Sequence, residues 1–539
     1  NYPIVFSPHD ADTLYAAGNV LFVSRDEGHS WQAISPDLTR NDADKMRSSG
    51  GPITQDNTSV EYYCTIFAFA ESPVQKGVLW CGSDDGLVHV SRDAGANWQK
   101  VTPDGLPEWA QINCIEADPF DAGTCYVAAT RYKLDDFAPY LFVTRDYGAS
   151  WQSCTRGIDP HWFVRCVRAD PVQKGLLFCG TERTVWMSMD GGLLWQRLQR
   201  NLPLVPITDL CIKDGSLIAA TQGRSMWSFD SLPHLRQCNA AQAQQKVVLF
   251  APVPHVQFPG TDGDVAGKGK NPSTAPVVRV LVGGDASEPV ACAHRLEIVD
   301  YEGKVVWTRD SAAEKDADKL ALKRGMNTIR WEYEAKDAKG FDGMVLWNGD
   351  LSGPRSQAPG RYEARLSFDG ETFTAPLVIE KDPRAEATVE DLQQRYAFVV
   401  RCRDTITKAH EAIAKIRSLR TQIDDVASRI DDEAKKKELA DVGKAAKDAL
   451  TAVEETLYQT QSKSSQDPLN YPIKLTDKLA GVMSAANNAL FAPTRAQRDV
   501  ADMLIAAIDA ELVKFEAAKA GPVAEFNVAA RRMETPYVK

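Results

Sequence analysis

At about 150 residues per domain, the 539 residues predict three to four domains. With 44% hydrophobic and 25% charged residues, the composition excludes a disordered chain, a collagen and a small disulfide knot. No apolar run approaches the roughly 18 residues that span a bilayer, and a net charge of −11 argues against a general nucleic-acid binder, which needs a basic stripe to displace counterions.

The chain opens Asn1-Tyr2-Pro3-Ile4, with neither an initiator Met nor a charged-then-apolar leader, and so reads as a processed product, a fragment or one piece of a split protein. Self-similarity follows at once. The pattern S/T-x-D-x-G-x-x-W occurs four times. Its copies carry Ser24, Asp26, Gly28 and Trp31; Ser91, Asp93, Gly95 and Trp98; Thr144, Asp146, Gly148 and Trp151; and Ser188, Asp190, Gly192 and Trp195. A fifth copy, Ser228-Phe-Asp230, has lost its Gly and Trp, and successive starts lie 67, 53, 44 and 40 residues apart.

The octet has the chemistry of a hairpin turn. A Ser or Thr hydroxyl and an Asp carboxylate accept backbone N–H groups that the turn leaves open. Glycine takes a positive φ, and the Trp packs beneath the hairpin while its indole N–H seeks one acceptor. Strand-like runs precede each copy, as in Val20-Leu-Phe-Val23 and Leu87-Val-His-Val90. Units of this length with about four short strands each are propeller blades, which predicts about five blades over residues 1–236.

Nine of the eleven cysteines precede residue 240, and no pair forms C-x-x-C. Most sit in strand-like runs as small buried hydrophobes; pairing Cys114 with Cys125, or Cys166 with Cys179, across neighbouring strands is the sharper alternative.

These octets resemble the Asp-box, or BNR repeat, of sialidases, xyloglucanase-type glycosidases and the sortilin ectodomain. Ser35-Pro-Asp-Leu-Thr-Arg40, Ser49-Gly-Gly-Pro-Ile-Thr54 with Glu61-Tyr-Tyr63, Gly82-Ser-Asp-Asp-Gly-Leu-Val-His89 and Thr221-Gln-Gly-Arg224 extend the likeness. Together with Gln461-Ser-Lys-Ser-Ser-Gln-Asp-Pro-Leu-Asn-Tyr-Pro-Ile473, they resemble the C-terminal portion of large bacterial WD40/YVTN/BNR-like, sortilin-N-terminal-domain ("glycosyl hydrolase") proteins. Relatives read T-H-G-R where this chain has Thr221-Gln222-Gly223-Arg224. The resemblance implies further blades upstream, and hence docking against an N-terminal propeller half or another protein subunit. A closed five-bladed ring, with residues 2–7 paired to residues 204–228, is the competing arrangement.

Residues 237–276 are rich in Gln, Ala, Pro and Gly and read as a linker. Short alternating strands from Val277 to about residue 381 predict an immunoglobulin-like β-sandwich. After Lys381-Asp-Pro-Arg384 the character changes to an antiparallel helical bundle over residues 385–520, followed by a tail at 521–539. Thr388-x-x-Asp391 is a capping box. Beyond it, Leu392, Val399, Ile406 and Ile413 interleave with Cys402, Ala409, Ile416, Ile423 and Ile430 as two sevens of one packing seam. The fold class is therefore multidomain: all-β propeller blades, a sandwich, then a helical bundle.

An Asp-box carboxylate is occupied by its own turn, and the resemblance implies that working carboxylates sit at the other end of the blades. Candidates there are Glu61, Asp84, Asp85, Asp135 and Asp136, with Tyr62, Tyr63, Arg131, Arg183 and Arg224 as ligand-binding side chains. Two carboxylates roughly 5 to 9 Å apart would suit glycoside hydrolysis. No H-E-x-x-H, G-x-S-x-G or phosphate-binding glycine loop occurs, so neither metal nor cofactor is expected. The first reading is an extracytoplasmic scaffold that binds a protein or a glycan without catalysis; the alternative is a sialidase- or xyloglucanase-like glycoside hydrolase.

Overall fold

The computed structural model describes residues 3–56, 62–257, 275–333, 335–347 and 349–533. The chain divides into two compact units, Asn1–Cys238 and Asn239–Lys539.

The first unit is a series of antiparallel sheets met in chain order. The first comprises Ile4–Ser7, Asp10–Ala17, Leu21–Ser24 and Gln32–Ala33; the second Ile66–Glu71, Leu79–Ser83, Val88–Ser91 and Gln99–Lys100. The third comprises Gln111–Ala117, Cys125–Arg131, Asp136–Thr144 and Gln152–Ser153; the fourth Val164–Ala169, Leu177–Thr181, Val185–Ser188 and Gln196–Arg197. The fifth has three strands, Ile207–Lys213, Ser216–Thr221 and Met226–Phe229. The leading strands of consecutive sheets lie against one another in turn, so they form the inner side and the two-residue fourth strands the outer. This is a β-propeller-type arrangement of successive blades.

Burial follows the pattern such stacking requires. In the second to fourth sheets the inner and second strands lie between two sheets and are mostly apolar, as in Leu79–Ser83 and Leu177–Thr181, where every residue is buried. Continuous cores join the first sheet to the second, the second to the third, and the third through the fifth. In the second to fifth sheets a one-residue register shift interrupts the inner pair at the same place, between Ile66 and Ala68, Ile112 and Cys114, Val164 and Cys166, and Ile207 and Asp209. A bulge re-aims the extra side chain, and one of these extra residues, Arg165, reaches the rim described below.

Ile4–Ser7 pairs with Asp10–Ala17 and, among the described residues, with no strand of the fifth sheet. The pairing expected of a closed five-bladed ring is thus not formed. The cysteine pairings also fail. All eleven cysteines are free thiols. Register explains why: Cys125 lies opposite Ala117 and Cys179 opposite Val167, while Arg168 donates to Cys114 Sγ at 2.8 Å.

The second unit begins inside the expected linker, where Val247–Leu249 and His255–Gln257 are strands. The first joins Val277–Val282 and Gly325–Arg330 in a three-stranded sheet; the second runs parallel to Glu371–Lys381 at the edge of a five-stranded one. That sheet continues through Gly360–Phe368, His294–Val299 and Val305–Asp310. Val278, Val280, Leu296, Ile298, Trp331, Leu366 and Leu377 fill the space between the sheets, making a sandwich. The apolar Val247-Val-Leu249 run supplies a strand that the surrounding Gln and Ala residues obscure.

Helices follow at Val389–Ser428, Glu433–Leu457, Leu475–Asn487 and Arg495–Ala518. Thr388 and Asp391 form the capping box, and every member of the two interleaved sevens is buried. The expected tail is instead helical as far as Arg532. A π-helical turn at Lys519–Val523 accommodates Pro522, which has no N–H to donate, and Ala524–Arg532 continues the helix. Among the described residues, no helix is long and apolar enough to cross a membrane.

Candidate functional site

The octets close the turn between third and fourth strands. Ser24 donates its hydroxyl to Asp26 Oδ1 at 2.8 Å and accepts the Gly28 N–H at 2.9 Å, while Asp26 accepts the Ser30 N–H at 2.9 Å. The same ring recurs at Ser91, Asp93, Gly95 and Asn97. It recurs again at Thr144, Asp146, Gly148 and Ser150, and at Ser188, Asp190, Gly192 and Leu194. Hydrogen bonds from Ser30 hold Asp26 down at about 2, and those from Asn97 and Ser150 lower Asp93 and Asp146. These carboxylates stay ionised and engaged with their own turns, which leaves them no part in proton transfer.

Because strands alternate in direction, turns between second and third strands lie at the end opposite the octets, together with the passages from each outer strand to the next inner one. Asp84, Asp85, Arg131, Asp135, Asp136, Arg183 and Arg224 fall in or beside those turns, and Tyr62 and Tyr63 in the first passage. Glu61 lies outside the described residues.

Asp85 is fully buried. It accepts the Ser83 hydroxyl at 2.5 Å and the Arg40 N–H at 2.7 Å, while Arg40 Nε donates to its carbonyl at 2.8 Å. It therefore anchors the passage at residue 40 to the second blade. Asp84 is half-buried and accepts the Thr65 N–H at 2.9 Å, while its own N–H donates to the Thr65 carbonyl at 2.9 Å. Burial, reinforced by the charge of Asp85, pushes its carboxyl up to about 6.

Tyr63 lies within the field of Asp84 and leads into an aromatic and cationic cluster. The Tyr63 ring meets Trp109 edge-on at 5.5 Å, and the Arg40 guanidinium and Lys45 ammonium lie 5.0 and 5.6 Å from the centre of the Trp109 ring. Burial and the charge of Asp84 together raise the Tyr63 phenol. Trp109 adopts φ 61°, a left-handed conformation that an aromatic residue holds only under constraint. Lys133, from the turn of the third blade, opposes the rise at Asp84 electrostatically.

Asp136 is engaged differently. It accepts the Tyr140 hydroxyl at 2.7 Å and faces Arg131 Nη1 at 3.5 Å. Burial raises its pKa, but these partners outweigh it and the net shift is downward. Asp135 is exposed, with φ 60°, and closes the turn through its backbone. Tyr62 is half-buried, and Arg224 is exposed and donates to the carbonyl of its neighbour Gly223. Arg183 lies over Trp162 at 5.8 Å, which packs edge-on against Trp186.

A further group was not expected from the sequence. Tyr132 stacks on Phe163 with ring centres 4.9 Å apart, and Arg165 lies over both while pairing with Glu182 at 2.7 Å. Trp109 and Phe163 close the passages just before their inner strands; that recurring position is the signal that could have found them. The rim thus presents flat apolar faces next to fixed cations and one carboxyl raised to about 6.

No family model matches the chain. Over 273 residues, 43% of the chain, it is 22% identical to the oligoxyloglucan-reducing end-specific xyloglucanase of Emericella nidulans, of which the match takes in 31%. The chain therefore spans about a third of this curated relative. Among solved structures, it is 14% identical to an ancestral GH74 enzyme, with 70% of this chain and 46% of that one covered at a TM-score of 0.31. The GH74 xyloglucanase from Xanthomonas campestris is 13% identical, over 69% of this chain and 63% of its own, at 0.33. YCF48 bound to D1 peptide is 18% identical, over 30% and 51%, at 0.24. The class defined by the sheets themselves is the β-propeller type, and likenesses at this level concern fold alone.

Proposed function

We propose that the first unit belongs to an Asp-box β-propeller that acts on glycans as a glycoside hydrolase, with a xyloglucan-type β-glucan as the substrate class. This prefers the alternative of the two sequence readings. The observation that carries it is Asp84: a half-buried carboxyl raised to about 6 beside the Tyr63–Trp109 pair. A carboxyl in that range retains its proton often enough near neutral pH to protonate a leaving glycosidic oxygen. Sugar rings present C–H faces that stack on aromatic planes, and Trp109, Tyr63, Tyr132 and Phe163 offer such planes on this rim. Asp136, kept ionised by Tyr140 and Arg131, is the candidate for the basic partner. The match to a xyloglucanase over 43% of the chain supports the choice of substrate class.

Binding without turnover is the second reading. It is favoured by Asp85, whose carboxylate is buried in structural hydrogen bonds, and by the charge partners that blunt Asp136 as a base. Both readings place the protein outside the cytoplasm, with the sandwich as spacer and the helices as an assembly surface.

Reducing-end release from xyloglucan oligosaccharides, measured together with calorimetric binding, separates the two. Hydrolysis predicts that Asp84→Asn loses about 100-fold or more in kcat while binding persists, and that Trp109→Ala weakens binding. Binding by the wild type with no release at any pH favours the second reading. Absence of both binding and release overturns xyloglucan as the ligand under either reading.

A further inference from the structure

Within the second unit, two arginines converge on one small cleft without a carboxylate between them. Arg355 lies in the irregular passage between the strands Gly325–Arg330 and Gly360–Phe368, and Arg395 on the second turn of the helix Val389–Ser428. Both line an enclosed cleft whose apolar wall is made by Leu392 and Val399. Arg395 is half-buried there. Burial, and then the charge of Arg355, lower its pKa, and among the described residues no carboxylate acts in the opposite sense. Arg355 donates from Nη2 to Asn488 Oδ1 and Arg395 from Nη1 to the Ala489 carbonyl; neither forms an ion pair among the described residues.

Those acceptors stand at the C-terminal end of Leu475–Asn487. A helix terminus carries the equivalent of about half a negative charge, so two guanidiniums leave roughly one and a half positive charges uncompensated. Partial burial against apolar side chains weakens the screening by which water would separate two like charges. Each guanidinium also keeps most of its N–H donors unused. The other polar groups of the cleft are engaged with one another. Gln257 donates to Ser356 Oγ at 2.5 Å and to the Gln357 carbonyl at 2.9 Å, and Tyr396 donates its hydroxyl to Gln357 Oε1 at 2.7 Å. Asn487 accepts the Arg355 N–H at 3.3 Å and donates to the Gly353 carbonyl at 2.9 Å. What is left over is therefore cationic N–H, around a space with room for a single water-sized occupant and no Asp or Glu in its lining.

We propose that this cleft binds a small monovalent inorganic anion of chloride size, held between the Arg355 and Arg395 guanidiniums. A neutral water there would accept N–H groups but leave the charge uncompensated, and a polyatomic sulfate or phosphate exceeds the space. The anion accepts charge-assisted hydrogen bonds from both arginines. In doing so it ties the passage that carries Arg355 to the helix that carries Arg395, and so braces the sandwich against the helices. No residue of the octets or of the aromatic rim takes part, and the inference is independent of the glycan reading.

The test follows the chlorine-35 NMR line width of sodium chloride titrated into the intact chain, at constant ionic strength held with sodium gluconate. The wild type should broaden the line in a saturable way that bromide reverses. Arg355→Gln and Arg395→Gln should each raise the chloride concentration for half-saturation at least about tenfold, the loss of a hydrogen bond to a charged group. Arg401→Gln, in the exposed pair with Asp502, should leave it unchanged. Broadening that is the same in the wild type and both cleft variants overturns the site, as does a wild type that shows no saturable broadening. A second measurement does not depend on the variants folding. Crystals of the wild type grown in sodium bromide should show an anomalous peak between the two guanidiniums; density there without anomalous signal, or no density, overturns the proposal.

Discussion

The carboxylate of Asp85 is buried among the Ser83 hydroxyl and the Arg40 N–H, whereas its neighbour Asp84 takes a backbone N–H and raises the phenol of Tyr63 by its charge. Sequence identified both as candidates, because an acid pair in a turn is visible in one dimension. It could not tell structural anchor from proton carrier, since the difference is made by Arg40, 45 residues distant, folding across Asp85. Trp109, Arg40 and Lys133 escaped for the same reason: their significance lies in passages from different blades meeting at one rim. The raised pKa of Asp84 has a thermodynamic consequence. Its native value of about 6 exceeds the ordinary 3.8, so the folded state holds the proton more tightly. The stability it contributes is full below pH 3.8 and is lost as the pH rises through 6. His89, pushed down to about 4 by burial, acts oppositely: its contribution is present above pH 6.5 and lost as the pH falls towards 4. The difference between wild type and Asp84→Asn isolates the first effect. Relative to the variant, the wild type should lose urea stability between about pH 4 and pH 7, and parallel profiles would refute the shift.

Repetition made the individual elements legible in the blades, and heptads did so in the helices. Each octet forms the hairpin turn that its residues predict, because its hydroxyl, carboxylate and glycine are local and satisfy one another within eight residues; that this turn joins third and fourth strands is read only from the structure. The seam from Leu392 to Ile430 is likewise buried throughout, as an apolar period of seven demands. Boundaries were misread where local composition opposed tertiary pairing. Val247–Leu249 and His255–Gln257 become strands through partners at 280–282 and 379–381, and Pro522 interrupts the final helix without ending it. The seam sets an expectation for stability. Ile406 is fully buried, so Ile406→Ala should cost about 2–5 kcal/mol in chemical denaturation followed by far-ultraviolet dichroism. A loss below about 0.5 kcal/mol would mean that the helix does not pack through this face.

At the scale of the whole molecule, the blades follow one another in chain order as five sheets, the fifth with three strands. Which apolar side chains those sheets leave exposed, such as Met226 on the last strand at 74%, is settled only in three dimensions. On the proposed function, a glycan meets the blades at the end opposite the octets. The octet end is closed by its own hydrogen bonds, whereas the opposite rim gathers Asp84, Tyr63, Trp109, Tyr132, Phe163 and Arg165. Amide hydrogen exchange of the chain with and without a xyloglucan oligosaccharide reads this directly. Slowed exchange in residues 62–66, 84–87, 108–112 and 131–137, with the four octets unchanged, is the predicted result; slowed exchange confined to the octets, or to the second unit, would contradict it.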